Sequence, residues 1–159
     1  MTNTSCPVST TGTSWLRTAA AGAAIALGAA LLIAAPAGPA AASAGDCAGG
    51  ANGFVDVSDN ASGTVQRSAS HDGDTISLQS AGGRGFAKIE GTTRSGESVW
   101  MDWTRDGGHT WLQCGPFNVD RGDNSSKTSP SQATSADPNY RFRACGLTLD
   151  QVITCTDWW

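Results

Sequence analysis

After residue 45 apolar and polar positions alternate with a period close to two, and no stretch there sustains the 3.6-residue apolar spacing of an amphipathic helix. The pattern predicts short strands over 54–57, 63–68, 75–79, 85–93, 98–104, 110–114, 140–145 and 152–156, punctuated by Gly, Asn and Asp. Strands at that spacing make an all-β fold, a single antiparallel β-sandwich or jelly-roll-like domain. The strongest signal lies in 95–114, where two runs rich in aromatic and β-branched residues flank Arg105-Asp106-Gly107-Gly108. Glycine supplies the positive φ that a tight hairpin turn requires.

Within 98–104, alternation sets Val99, Met101 and Trp103 on one face and Trp100, Asp102 and Thr104 on the other. The first face is apolar enough for a core. Trp100 is then a candidate solvent-facing aromatic, the plainer reading being that a loop covers it. In 140–145, Tyr140, Phe142 and Ala144 alternate with Arg141 and Arg143, which predicts outward arginines. Between these strands, 120–138 has no apolar side chain larger than alanine apart from its prolines and reads as a long surface loop or crossover.

The N-terminus changes the picture of where the domain starts. An apolar run at 19–35 follows a polar stretch whose one charge is Arg17, and Pro36 and Pro39 come after it. That order predicts a helical signal peptide over 1–44, with Ala42-Ser43-Ala44 as the cleavage motif and a secreted, extracellular domain over 45–159. The run is shorter than the roughly 20 apolar residues of a spanning helix, so no membrane association is expected after cleavage. Asp46 stands directly before Cys47, where a lipidation motif would have Gly or Ala.

Cleavage leaves 115 residues, enough for one domain with a modest core. All 14 acidic residues and nine of the ten basic ones stay, for a formal charge of −5. Phosphate neutralisation needs a basic face, so nucleic acid is not an expected partner. Cys47, Cys114, Cys145 and Cys155 remain, an even number in an exported chain, and predict two disulfides. Of the three possible pairings, Cys145–Cys155 closes a short local loop and Cys47–Cys114 pins the N-terminus to the central hairpin, which favours that pair. No CxxC spacing suggests zinc.

At the central turn, Thr104, Asp106, Gly108, Thr110 and Trp111 follow the Ser/Thr-x-Asp-x-Gly-x-Thr-Trp spacing and resemble the Asp-box of sialidases and other secreted β proteins. In that family the box lies away from the catalytic centre. The resemblance therefore implies structural turn roles for Asp106, Gly108 and Trp111, with the tryptophan packed beneath as a staple, and no activity. Runs at 99–108 and 143–146, with Cys155-Thr156-x-Trp158, resemble a small exported actinobacterial β module of undefined function that is also attached to some glycan-active enzymes. This implies a carbohydrate-rich setting.

Catalytic constellations are thin. Glu90 and Glu97 could pair across a turn, yet both sit in exposed-looking sequence with nothing to separate their pKa values. His71, Asp72, Asp74 and His109 could supply a general base, but turn residues of this kind usually face solvent. Asp56, Asp59 and Asn60, or Asp120, Asp123 and Asn124, lack the glycine and closing glutamate of a calcium loop. Arg121-Gly122-Asp123 is a tripeptide that recurs in polar loops by chance, and the acceptor motifs at Asn60 and Asn124 matter only in a eukaryotic host. No catalytic residue, metal ligand or cofactor is assigned.

The chain ends Asp157-Trp158-Trp159. Adjacent tryptophans on a strand face opposite ways, so one is expected to plug the sandwich and the other to cover a disulfide or a ligand. The reading that follows is a monomeric, exported, non-catalytic module binding polysaccharide or cell wall through Trp100, Trp158 and Trp159, with Asp102 fixing hydroxyls. Alternatives are a small secreted hydrolase using His109 or a glutamate, and an inhibitor or surface protein that binds another protein.

Overall fold

The computed structural model describes residues 43–159. The apolar run at 19–35 and Ala42 of the cleavage motif lie outside the described residues. Two antiparallel sheets form the body of the chain. The first contains β1 (Thr64–His71), β2 (Asp74–Ala81), β3 (Arg84–Gly91), β6 (Lys127–Thr128) and β7 (Gln132–Ala133), in the order β1-β2-β3-β6 with β7 also paired to β3. The second contains β4 (Ser98–Thr104), β5 (Leu112–Asn118), β8 (Arg141–Leu147) and β9 (Ile153–Cys155), in the order β5-β4-β8-β9.

The sheets pack face to face in the sandwich that strand alternation predicts. Ile76 and Leu78 of β2 and Ala87 and Ile89 of β3 meet Val99, Met101 and Trp103 of β4 and Phe142 and Ala144 of β8. Each fully buried aliphatic or phenyl side chain of this kind stabilises by roughly 1.5–3 kcal/mol. Gly146 on β8 lets the sheets close: a Cβ there would lie 2.6 Å from Ile76 Cγ1 and 3.3 Å from the Ser98 carbonyl oxygen. Disulfides join Cys47 to Cys114 and Cys145 to Cys155, the favoured pairing. The second bridges paired residues of β8 and β9.

Two segments depart from expectation. Residues 54–57 are not a strand: Phe54 enters the core, but Val55 makes only a single bridge, to Ser131. Residues 120–138 are not simply a surface loop, because β6 and β7 add to the edge of β3 and Thr128, Ser129, Ser131 and Gln132 are buried. Small polar side chains can be buried here because they are satisfied. Ser129 Oγ accepts from Ala87 N at 3.0 Å, and Ser131 Oγ donates to the Val55 carbonyl at 3.0 Å.

Candidate functional site

The turn between β4 and β5 is built on Thr104 and Asp106. Thr104 Oγ1 donates to Asp106 Oδ1 at 2.7 Å and accepts from Asp106 N and Gly108 N, each at 3.2 Å. Asp106 accepts in turn from Thr110 N at 2.9 and 3.0 Å and from Thr110 Oγ1 at 2.6 Å. These bonds, led by the Thr110 hydroxyl, hold the Asp106 carboxyl well below the usual carboxylate range. Gly108 has φ 103°, and a Cβ on it would meet the Trp158 indole at 3.4 Å, so the turn packs beneath the C-terminal tail.

Trp111 does not fill the core. It is 49% exposed, because Leu112 pairs with the inward Trp103 and the residue before it falls on the outside of the second sheet. There it meets Trp158 edge-on, with centroids 6.2 Å apart. The Arg143 guanidinium lies 5.0 Å from the Trp111 ring centroid and 4.7 Å from that of Trp158. Its Nε donates to Asp102 Oδ2 at 2.8 Å, and its Nη2 lies 2.8 Å from the same oxygen in an ion pair. Asp102 is therefore a buried anchor for the arginine and not a surface group offered to hydroxyls. Burial pushes its carboxyl up, against the pull of Arg143.

Trp100 also corrects the expectation of an exposed aromatic. Alternation places it on the same face as Asp102, but β4 is paired on both sides, to β5 and β8, and Trp100 is only 7% exposed. The Gly115 backbone packs against its Cβ. A ring so covered offers no face for stacking.

The terminal tryptophans lie together at a groove of about 490 Å³, which also takes in Tyr140, Arg141 and Phe142 from the start of β8 and Arg67 from β1. Residues 134–138, with Thr134, Ser135 and Asp137, form a polar wall. Trp159 is fixed by backbone bonds to Phe142, its N–H donating to the Phe142 carbonyl at 2.9 Å and its carbonyl accepting from Phe142 N at 3.0 Å. Its ring tilts over Phe142 at 6.1 Å, so it closes that end of the core, while Trp158 reaches across to the Arg143 stack. The tail curls as an added rung beside β8, and this lets two neighbouring rings line one groove. Arg67, Tyr140 and Arg141 were not singled out as site residues from the sequence; the outward period of 141 and 143 was the signal available for the arginines of β8.

A second cluster of ionisable groups lies where β2 starts and the loop enters β4. Glu97 is fully buried, not exposed, because it accepts from Arg94 N at 2.8 Å, Nη2 at 3.1 Å and Nε at 3.3 Å and from Leu149 N at 3.4 Å. Asp74, which shares the inward parity of Ile76 and Leu78, is 1% exposed, and neither of its carboxyl oxygens meets a donor. Burial first, then the neighbouring Glu97 carboxyl, pushes it up to about 6. The pair is sealed from any substrate in this conformation. Nearby His71 Nε2 lies 2.8 Å from Asp150 Oδ2, which raises the imidazole, and the Thr148 hydroxyl followed by His71 lowers the Asp150 carboxyl to about 2.

The remaining candidates are not brought together. His109 is exposed, and Glu90 pairs with Lys88 Nζ at 2.8 Å. Asp59 and Asp120, from the two acidic stretches, share Lys127 Nζ at 3.3 and 3.0 Å, so an ammonium already sits between these carboxylates. Among the described residues no group of three His, Cys, Asp or Glu side chains is arranged to hold a metal ion, and no helix is long and apolar enough to cross a membrane. No family model, curated protein or solved structure matches the chain.

Proposed function

We propose that this domain is an exported, non-catalytic module that binds polysaccharide or cell-wall polymer in the groove formed by Trp158, Trp159 and Tyr140. The observation that carries the reading is the presence of two adjacent tryptophans and a tyrosine at one open, polar-walled groove. A sugar ring has an apolar face and a rim of hydroxyls, and indole and phenol rings flanked by hydrogen-bonding groups suit both. Trp158 is supported from behind by Arg143, itself anchored on Asp102, so its orientation is fixed before any ligand arrives. The disulfides fit an oxidising environment, in keeping with export. Retention of the protein, disulfides intact, on a panel of insoluble polysaccharides and cell walls tests the reading: specific retention on at least one supports it, and passage through all of them refutes it.

A further inference from the structure

We infer that the groove selects an anionic glycan, one whose sugars carry carboxylate groups, and that Arg67 and Arg141 are the residues that recognise the charge. This inference rests on the glycan-binding reading above and narrows its ligand class. The chain as a whole is acidic, with a formal charge of −4. Most of its described cations are already neutralised: Lys88, Arg94, Arg121, Lys127 and Arg143 all form ion pairs with carboxylates. Among the described residues Arg67, Arg84, Arg105 and Arg141 form none. Arg84 is turned to protein oxygens, donating to Gly53 O at 2.8 Å and Ser131 O at 2.7 Å.

Of the other three, Arg67 and Arg141 line the groove, and Arg105 instead stacks on Trp103, 4.7 Å from its ring centroid. Arg67 spends Nη1 on the Gln66 carbonyl, and Arg141 spends Nε on the Pro138 carbonyl at 2.8 Å. Both arginines are exposed, and the remaining guanidinium N–H groups are left to donate. One side-chain carboxylate lines the same groove, Asp137, and its Oδ1 accepts from Asn139 N at 2.9 Å. An exposed, uncompensated guanidinium pair beside stacking rings, in a protein whose other cations are mostly paired, matches a ligand with an apolar ring face and a carboxylate on its edge. A nucleic acid fits less well. It would present a phosphate at every nucleotide to a domain of net negative charge, and two arginines do not make a track for it.

The test uses polygalacturonate and its methyl-esterified form, which share a backbone and differ in charge, with dextran sulfate and a single-stranded oligothymidylate as further polyanions. Binding of the full chain, both disulfides formed, is measured at low and moderate salt for the native protein, Arg67→Gln, Arg141→Gln and Trp158→Ala, with melting curves to confirm folding. The inference predicts that polygalacturonate binds at least about tenfold more tightly than its ester at low salt. Each arginine variant should lose roughly fivefold or more of that preference while keeping its affinity for the ester. Equal binding of acid and ester, abolished only by Trp158→Ala, would overturn the charge selection and leave the glycan reading standing. No binding to either glycan at any salt would overturn both for this ligand class. Binding of the oligothymidylate or dextran sulfate at least as tight as that of polygalacturonate would also overturn it, in favour of a general polyanion site.

Discussion

Replacing Asp74 by Asn should stabilise the protein at neutral pH, although it alters a buried charged residue. The Asp74 carboxyl is 1% exposed, lies against fully buried Glu97 and is raised from an ordinary 3.8 to about 6. The folded state therefore holds this proton more tightly than the unfolded chain does. The contribution to stability is complete below about pH 4, falls as pH rises through 4 to 6, and stays lost above that. A difference of this size corresponds to about 3 kcal/mol, which is the cost of ionising Asp74 in its buried place, with the Glu97 carboxyl adding to it. Asparagine keeps the shape and carries no charge at any pH. The Asp74→Asn protein should match the native one near pH 4 and exceed it at pH 7 by up to about 3 kcal/mol, or about 10 °C in melting temperature. Asp150, lowered to about 2, loses its stabilising effect only as pH falls below about 4, and His71 is raised above 6.5, so neither titrates mainly in the window that Asp74 governs. Urea unfolding at half-unit steps from pH 4 to 7.5 reads the difference directly. A variant less stable than native at pH 7, or one with the native pH slope between 4 and 6, would refute the account of a buried, raised Asp74 carboxyl.

Other outcomes follow from the same geometry. Trp111→Ala should cost only about 1–2 kcal/mol in urea unfolding, well short of a fully buried tryptophan, since half of the ring is exposed. Replacing both cysteines of the Cys47–Cys114 bridge by serine, which opens a 67-residue separation, should destabilise by about 4 kcal/mol on the chain-entropy estimate. The 10-residue Cys145–Cys155 bridge should account for about 3 kcal/mol.

The strands, the sandwich and the disulfide pairing were legible because they depend on alternation and on loop closure, which are local or nearly so. β4 is recovered over Ser98–Thr104, and the faces of Val99 and Trp100 are assigned correctly. Alternation says which side of a sheet a residue takes but not whether that side is covered. Trp100 was open to misreading for this reason: a central strand carries neighbours on both edges, and its outer face lies under further chain. Glu97 and Asp74 were illegible in another way, because a carboxylate in polar sequence looks solvated until the partner that buries it is known. Arg94 is three residues from Glu97, and Leu149 comes from a distant loop. For Asp74 a signal did exist: its parity with Ile76 and Leu78 runs straight into the core. The groove depended on a tail that returns to pair with Phe142, a contact no periodicity in Thr156–Trp159 announces.

Binding through Trp158 is the claim on which the functional reading depends, and a comparison of Trp158→Ala with Asp74→Asn on the polysaccharide that retains the native protein tests it most directly. The two sites lie toward opposite ends of β8, at Arg141 and beyond Leu147. Trp158→Ala should lose retention by about tenfold or more while its melting curve still shows a cooperative fold, and Asp74→Asn should be retained like the native protein. A folded Trp158→Ala protein that is retained undiminished would contradict the account.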